Sequence, residues 1–252
     1  MNTVEELAAF KSRKDFFIGI DSDGTAFNSM NIKHRDAFLP AALEVWDFGD
    51  RAGEFRDLWE RINLYSPDRG INRFAGLASA FEKLRAAGAG LPDPAPLRDF
   101  VESGGALSNT ALRTWMAARP HPFLDETLRW SLRSDILFEE HTRGLPPFGG
   151  VKEAIRRMAE KADIMVISSA SGKSLDRDWS SAGLTPWTAL VAGQEAGSKK
   201  NQLRLGAQGK YPPRHILMIG DAPGDMEAAD AVEALFYPII PGKEEQSWTT
   251  LG

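Results

Sequence analysis

Asp21 and Asp23 stand two residues apart at the end of an apolar run, Phe-Phe-Ile-Gly-Ile-Asp-Ser-Asp-Gly-Thr, residues 16–25. Phe16 to Ile20 read as a fully buried strand. The carboxyl end of such a strand is where open α/β sheets bind ligands. Two neighbouring carboxylates repel each other unless a cation or a proton resolves the conflict. The pair therefore points to a metal site, to acid–base chemistry, or to both.

Two further segments have the same form. Asp163 to Ser168, with Ile-Met-Val-Ile at its centre, runs into Ser168-Ser169-Ala170-Ser171. His215 to Gly220 stops at an acid in Gly220-Asp221-Ala222-Pro223-Gly224-Asp225. In a parallel sheet these ends meet at one edge, gathering carboxylates, hydroxyls and backbone N–H groups in a single crevice. Carboxylates at that density call for a hard cation. Mg²⁺, held by one or two carboxylates together with waters and a phosphate, fits best.

The elements that would position these groups follow from periodicity. Beyond Leu145 helices and strands alternate: helices at Val151–Lys161, Ser174–Ala182, Lys199–Ala207 and Met226–Ala234, strands at Asp163–Ser168, Thr188–Ala192, His215–Gly220 and Leu235–Ile240. Such alternation predicts a doubly wound α/β domain, a parallel sheet with helices on both faces. The first strand has no partner nearby in sequence, so it must pair with strands beyond residue 160. Between them lies a mostly helical block, with apolar residues at helical spacing over Ala37–Trp46, Phe55–Leu64, Phe74–Ala87, Ala111–Ala118 and Leu124–Phe138. The prolines of Leu91–Pro96 and the run Ser103-Gly104-Gly105 are read as breaks in it. The predicted organisation is an α/β core domain from residues 1–27 and 146–252, with an inserted helical cap domain at 28–145.

Composition sets bounds on function. The 252 residues are 42% hydrophobic and 26% charged, with a net charge of −5, ordinary for a globular protein. Basic and acidic residues are interleaved, so neither a nucleic-acid nor a membrane partner is expected. With no cysteine, disulfides, thiolate catalysis and Cys-based zinc sites are excluded. His34, His121, His141 and His215 lack metal-ligand spacing. No apolar run is long enough to span a bilayer and residues 1–14 lack a signal-peptide core; a cytoplasmic protein, monomer or homodimer, is expected.

The chain resembles the haloacid dehalogenase (HAD) superfamily, in its phosphoglycolate phosphatase-like branch with a helical cap. Asp21-Ser22-Asp23-Gly24-Thr25 matches that family's first motif, DxDGT. The strand ending in Ser168-Ser169 resembles the second, and Gly220-Asp221-Ala222-Pro223-Gly224-Asp225 matches the fourth, GDxxxD. Lys199 or Lys200 falls in the window of the third, a lysine.

The resemblance implies a Mg²⁺-dependent phosphatase acting on a small phosphorylated metabolite through an aspartyl-phosphate. Asp21 would be the nucleophile and Asp23 the general acid and base. Asp21, the Asp23 carbonyl and Asp221 would hold Mg²⁺, with Asp225 a further ligand or the holder of a metal-bound water. Lys199 would offset charge between Asp21 and the phosphate, and Ser169, preferred over Ser168, would bind another oxygen. Gly24 would permit the turn, and Thr25 would orient the nucleophile in the phosphate-binding loop. The same motifs fit a phosphosugar mutase, and the fold alone fits a catalytically silent binding protein.

Plainer roles compete. Asp225 could be only a helix N-terminal acid, Ser169 a strand-end hydroxyl, and the lysines surface charges. In the cap, Arg69 and Arg73 within Ser66–Phe74 could reach a substrate anion or merely start a helix. The tryptophans read as core.

Overall fold

The computed structural model describes residues 2–251. In chain order these form α1 (Val4–Ala9), β1 (Phe16–Ile20), α2 (Ser29–Asn31), a π-helical stretch Ile32–Phe38, α3 (Leu39–Val45), α4 (Ala52–Leu64), α5 (Arg73–Ala86), α6 (Ala95–Glu102), α7 (Asn109–Ala118) and α8 (Pro122–Thr142). There follow α9 (Val151–Met158), β2 (Ala162–Ile167), α10 (Gly172–Ser181), β3 (Leu190–Ala192), α11 (Lys199–Ala207), β4 (Ile216–Gly220), α12 (Pro223–Asp230), β5 (Leu235–Pro238) and α13 (Glu244–Leu251). The chain divides into two compact units: Asn31–Thr142, and the segments on either side of it.

The strand-bearing unit is a five-stranded sheet in the order β3-β2-β1-β4-β5, parallel throughout. β1 is central. Phe16 pairs with Ala162 of β2, while Ile20 pairs with Ile219 of β4. Its partners thus lie beyond residue 160, as the sequence requires. The strands are apolar on both sides because both faces are covered. One face packs Ile18, Ile20, Ile164 and Val166 against α9, α10 and Trp248. The other packs Phe17, Met165 and Met218 against α1, α11 and α12. The sheet order reverses at β1, so the carboxyl ends of β1 and β4 flank the switch point where α/β sheets bind ligands.

The opposite edge of this sheet is tied by Asp163, 4% exposed. It accepts from the N–H groups of Arg13 (2.8 Å) and Lys14 (3.0 Å) and from the Tyr211 hydroxyl (2.7 Å).

The Asn31–Thr142 unit is all-helical around an aromatic core that includes Phe55, Trp59, Phe81 and Trp130. The indole N–H groups of Trp59 and Trp130 donate to the carbonyls of His34 (3.2 Å) and Phe38 (2.9 Å), so they are core residues with a polar tether. Asn72 caps α5, its side chain accepting from Phe74 N–H at 2.9 Å. Arg73 pairs with Asp135 at 2.6 Å, and Arg69 donates to the Leu64 carbonyl at 2.9 Å. Periodicity does not announce α1, α2, α6 or α13. The prolines at 94 and 96 begin α6 rather than only breaking the chain, since proline is tolerated in a first helical turn. α13 lies where no periodicity was read. No helix among the described residues is long and apolar enough to cross a membrane.

Candidate active site

The ladder between β1 and β4 continues one residue past β1, where Asp21 N–H donates to the Ile219 carbonyl at 3.0 Å. The chain then turns tightly. Ala26 and Phe27 N–H groups both return to the Ser22 carbonyl (3.0 and 3.1 Å), and Gly24 N–H donates to Phe27 O at 2.8 Å. Gly24 has φ +80°, a left-handed conformation that glycine adopts without the Cβ clash. Two buried indoles hold this turn: Trp248 Nε1 donates to the Thr25 carbonyl (2.8 Å) and Trp179 Nε1 to Ser22 Oγ (3.1 Å).

Inside the turn sits a charged cluster. Lys199 Nζ lies 2.8 Å from Asp21 Oδ1 and 2.7 Å from Asp225 Oδ1. Asp21 is 2% exposed, Asp225 fully buried, and Asp221 at the margin of burial, 9% exposed. Thr25 Oγ1 is 2.7 Å from Asp221 Oδ1 and 3.3 Å from Asp21 Oδ2. A hydroxyl has one proton to give, so the shorter contact marks Asp221 as its acceptor. Asp225 Oδ2 accepts from Ala222 N–H at 3.1 Å. A Cβ on Gly220 would stand 2.3 Å from Asp225 Cβ, so glycine at the end of β4 is what lets Asp225 lie against the strand.

The cluster holds two more carboxylates than cations. Burial pushes the Asp21 carboxyl well above the ordinary range; Lys199 pulls it down, while Asp225 and Asp221 add to the rise. Burial raises Asp225 too, against the pull of Lys199. For Lys199, burial opposes the charge, but Asp21 and Asp225 outweigh it and hold the pKa above the usual lysine value. The ammonium is therefore permanent near neutral pH, and the uncompensated charge lies on the acids. Asp21, Asp221 and Asp225 each place a carboxylate oxygen within 4.8 Å of the others. An all-oxygen, anionic donor set of this kind fits a hard divalent cation such as Mg²⁺.

Of the residues singled out in the sequence, Asp21, Thr25, Lys199, Asp221 and Asp225 thus form one bonded cluster. Lys200 is exposed. Thr25 is fully buried and directs its hydroxyl at carboxylates. Asp23 occupies the same turn, half-buried, and Ser29 Oγ donates to its Oδ1 at 2.5 Å. Ser168 is buried and its hydroxyl accepts from Ala170 N–H at 3.1 Å, whereas Ser169 is exposed just beyond β2. Asp225, whose two oxygens already accept from Lys199 and Ala222, is well placed to brace the cluster as well as to share a cation.

Four supporting residues escaped the sequence reading: Ser29, Trp179, Gln202 and Trp248. Gln202 had a signal, lying one helical turn after Lys199. Trp179 and Trp248 are brought in by tertiary packing from distant segments, whereas Ser29 meets Asp23 because the chain folds back after the turn.

No protein-family profile matches the sequence, and no curated protein matches it either. Solved structures match over almost the whole chain. A structure from Haemophilus somnus 129pt, described as a predicted phosphoglycolate phosphatase, superposes with a TM-score of 0.54 at 14% identity, covering 93% of each chain. A hydrolase of the haloacid dehalogenase-like family from Streptococcus pneumoniae gives 0.50 at 13% identity, over 92% of this chain and 90% of that one. A protein from Bacillus subtilis described as a HAD-hydrolase, bound to magnesium, gives 0.50 at 14% identity, over 89% and 86%. The fold is that of the haloacid dehalogenase-like hydrolases: a parallel α/β core with a helical insertion.

Proposed function

We propose that the protein is a Mg²⁺-dependent phosphoric monoester hydrolase acting on a small phosphorylated metabolite. The observation that carries this reading is the placement of Lys199 between Asp21 and Asp225 at the switch point of the sheet. A buried nucleophilic carboxylate beside a fixed ammonium, with a second acid in the same turn, is what phosphoryl transfer to a carboxylate needs.

In this reading Asp21 attacks phosphorus and its carboxylate oxygen forms the new P–O bond of an aspartyl-phosphate. As the ester P–O bond breaks, Asp23 gives its proton to the departing alcohol oxygen. Asp23 then takes a proton from water, which attacks the same phosphorus and releases inorganic phosphate, restoring Asp21. Ser29 holds one Asp23 oxygen so that the other faces the reaction. Lys199 keeps the Asp21 carboxylate oriented and balances phosphoryl charge, and the exposed Ser169 hydroxyl donates to a phosphate oxygen. Asp21, Asp221 and the Asp23 carbonyl, with Asp225 in support, would hold Mg²⁺, which would supply positive charge to offset that of the anionic nucleophile and ester. Asp23 separates this chemistry from carbon–halogen cleavage, which needs no acid for the leaving group. The helical unit is proposed as the cap that decides which ester is accepted.

The test is phosphate release from a broad panel of metabolite monoesters with Mg²⁺, for the wild type and Asp21→Asn. Release by the wild type alone is expected. A folded wild type silent on the whole panel, or an active Asp21→Asn, overturns the reading.

A further inference from the structure

Gln202 is fully buried, yet its carboxamide meets four backbone groups. Its Oε1 accepts from Ser168 N–H at 3.0 Å. Its Nε2 donates to the carbonyls of Ser168 (3.0 Å), Gly193 (2.9 Å) and Gly197 (2.8 Å). Two amide hydrogens serve three acceptors, so one is shared. The opposite amide orientation would set an oxygen against three carbonyls and leave Ser168 N–H facing a donor, so the arrangement has one register.

The four groups are not scattered. Ser168 directly follows β2 and precedes Ser169. Gly193 follows β3 and starts the loop that leads to Lys199, and Gly197, at φ +86°, stands two residues before it. Gln202 itself is on α11, one turn after Lys199. Two backbone bonds also cross between these segments, Ser168 N–H to the Ala192 carbonyl at 3.1 Å and Gln194 N–H to the Ala170 carbonyl at 2.9 Å; the carbonyls of Ser168, Gly193 and Gly197 are gathered by the one side chain.

We infer that Gln202 is a positioning residue for phosphoryl transfer. Its amide locks the segment bearing Ser169 to the helix start bearing Lys199, so that the two phosphate-facing groups keep one spacing. The inference rests on the functional reading above. Asp21, the Asp23 carbonyl and Asp221 follow β1 and β4, so these groups proposed to hold the cation lie outside this clamp. The expected signature is a selective one: cation binding persists while phosphate handling fails.

The experiment uses Gln202→Leu, similar in size but without polar atoms, and Gln202→Glu, which keeps only the acceptor. Both are compared with wild type for kcat and KM, for the Tm shift on adding Mg²⁺ alone, and for the Kd of inorganic phosphate with Mg²⁺ present. In Gln202→Leu the Mg²⁺ shift is expected to be retained, phosphate affinity to fall tenfold or more, and kcat to fall at least thirtyfold with KM changed far less. Combined with Lys199→Met, the second loss is expected to shrink to threefold or less, because residues acting as one unit are non-additive. A folded Gln202→Leu whose phosphate Kd and kcat stay within threefold of wild type, or losses that multiply fully in the double variant, overturns the inference. Should the wild type hydrolyse nothing, the functional reading falls, and hydrogen exchange then decides this one. Lost amide protection confined to residues 168–170 and 193–199 in Gln202→Leu upholds the clamp; unchanged protection ends it.

Discussion

The hydroxyl of Thr25 lies 2.7 Å from Asp221 Oδ1 and so joins the turn after β1 to the end of β4. Two acids that belong to strands separated by 200 residues of chain are set against each other by this one bond and by the Lys199 bridge to Asp225. Thr25→Val keeps the shape and removes the donor. A hydrogen bond to a charged group is worth about 1.5–3 kcal/mol, so kcat/KM is expected to fall roughly tenfold to a hundredfold, while Thr25→Ser stays near wild type. Steady-state kinetics on both variants check this; a Thr25→Val enzyme with wild-type kcat/KM would refute the role of the hydroxyl.

Mg²⁺ should stabilise the protein by resolving the carboxylate excess. A ligand at a hundred times its Kd adds about 2.7 kcal/mol, which scanning calorimetry with and without chelator reads as a higher Tm. Asp221→Asn should lose most of that shift. An unchanged shift would place the cation elsewhere.

In the metal-free protein, Asp21→Asn should be inactive yet more stable near neutral pH than at acid pH relative to wild type. The sign follows from the raised folded-state pKa of Asp21. The folded carboxyl binds its proton more tightly than the unfolded one. Its stabilising contribution is therefore present below the unfolded value of about 4 and is lost as pH rises through the folded value. Asparagine has no such loss. Urea unfolding at a series of pH values, with chelator, should show the gap between variant and wild type widening upward in pH; a constant gap would contradict it.

Ser29→Ala should act on the proton shuttle alone. The hydroxyl is 2.5 Å from Asp23 Oδ1, and without it the acid loses a contact that orients it. We expect kcat to drop about tenfold, less than the roughly 10²–10⁴-fold ascribed to general acid–base catalysis because Asp23 itself remains, with Tm nearly unchanged. Esters with good leaving groups, which need no proton, should be hydrolysed at close to the wild-type rate, and an equal loss on those esters would refute the role.

The sheet and the acids at its edge were legible because buried parallel strands read as unbroken apolar runs, and Asp21 and Asp221 interrupt theirs at the same height. Lys199 and not Lys200 meets the acids because it opens α11 directly after Ser198, which caps the helix by accepting from Asn201 N–H. Other parts leave little trace in sequence. Trp248 looks like an ordinary apolar residue near the C-terminus, and only folding brings its indole to the Thr25 carbonyl. Pro94 and Pro96 resemble a break, although they open α6. Ser29 is one serine among many until the turn sets it on Asp23. Such residues act through contacts made across the chain, and periodicity reports only neighbours along it.

The indole of Trp248 has a consequence for biosynthesis. The segment bearing Asp21 is synthesised before its flanking strands, which begin at residues 162 and 216, and before one of its tethers, residue 248. Meanwhile the helical unit, with a core of its own, is complete at residue 142. The strand that bears Asp21 thus stays unpaired and apolar until residues beyond 160 are made, and its closure is a long-range, slow step.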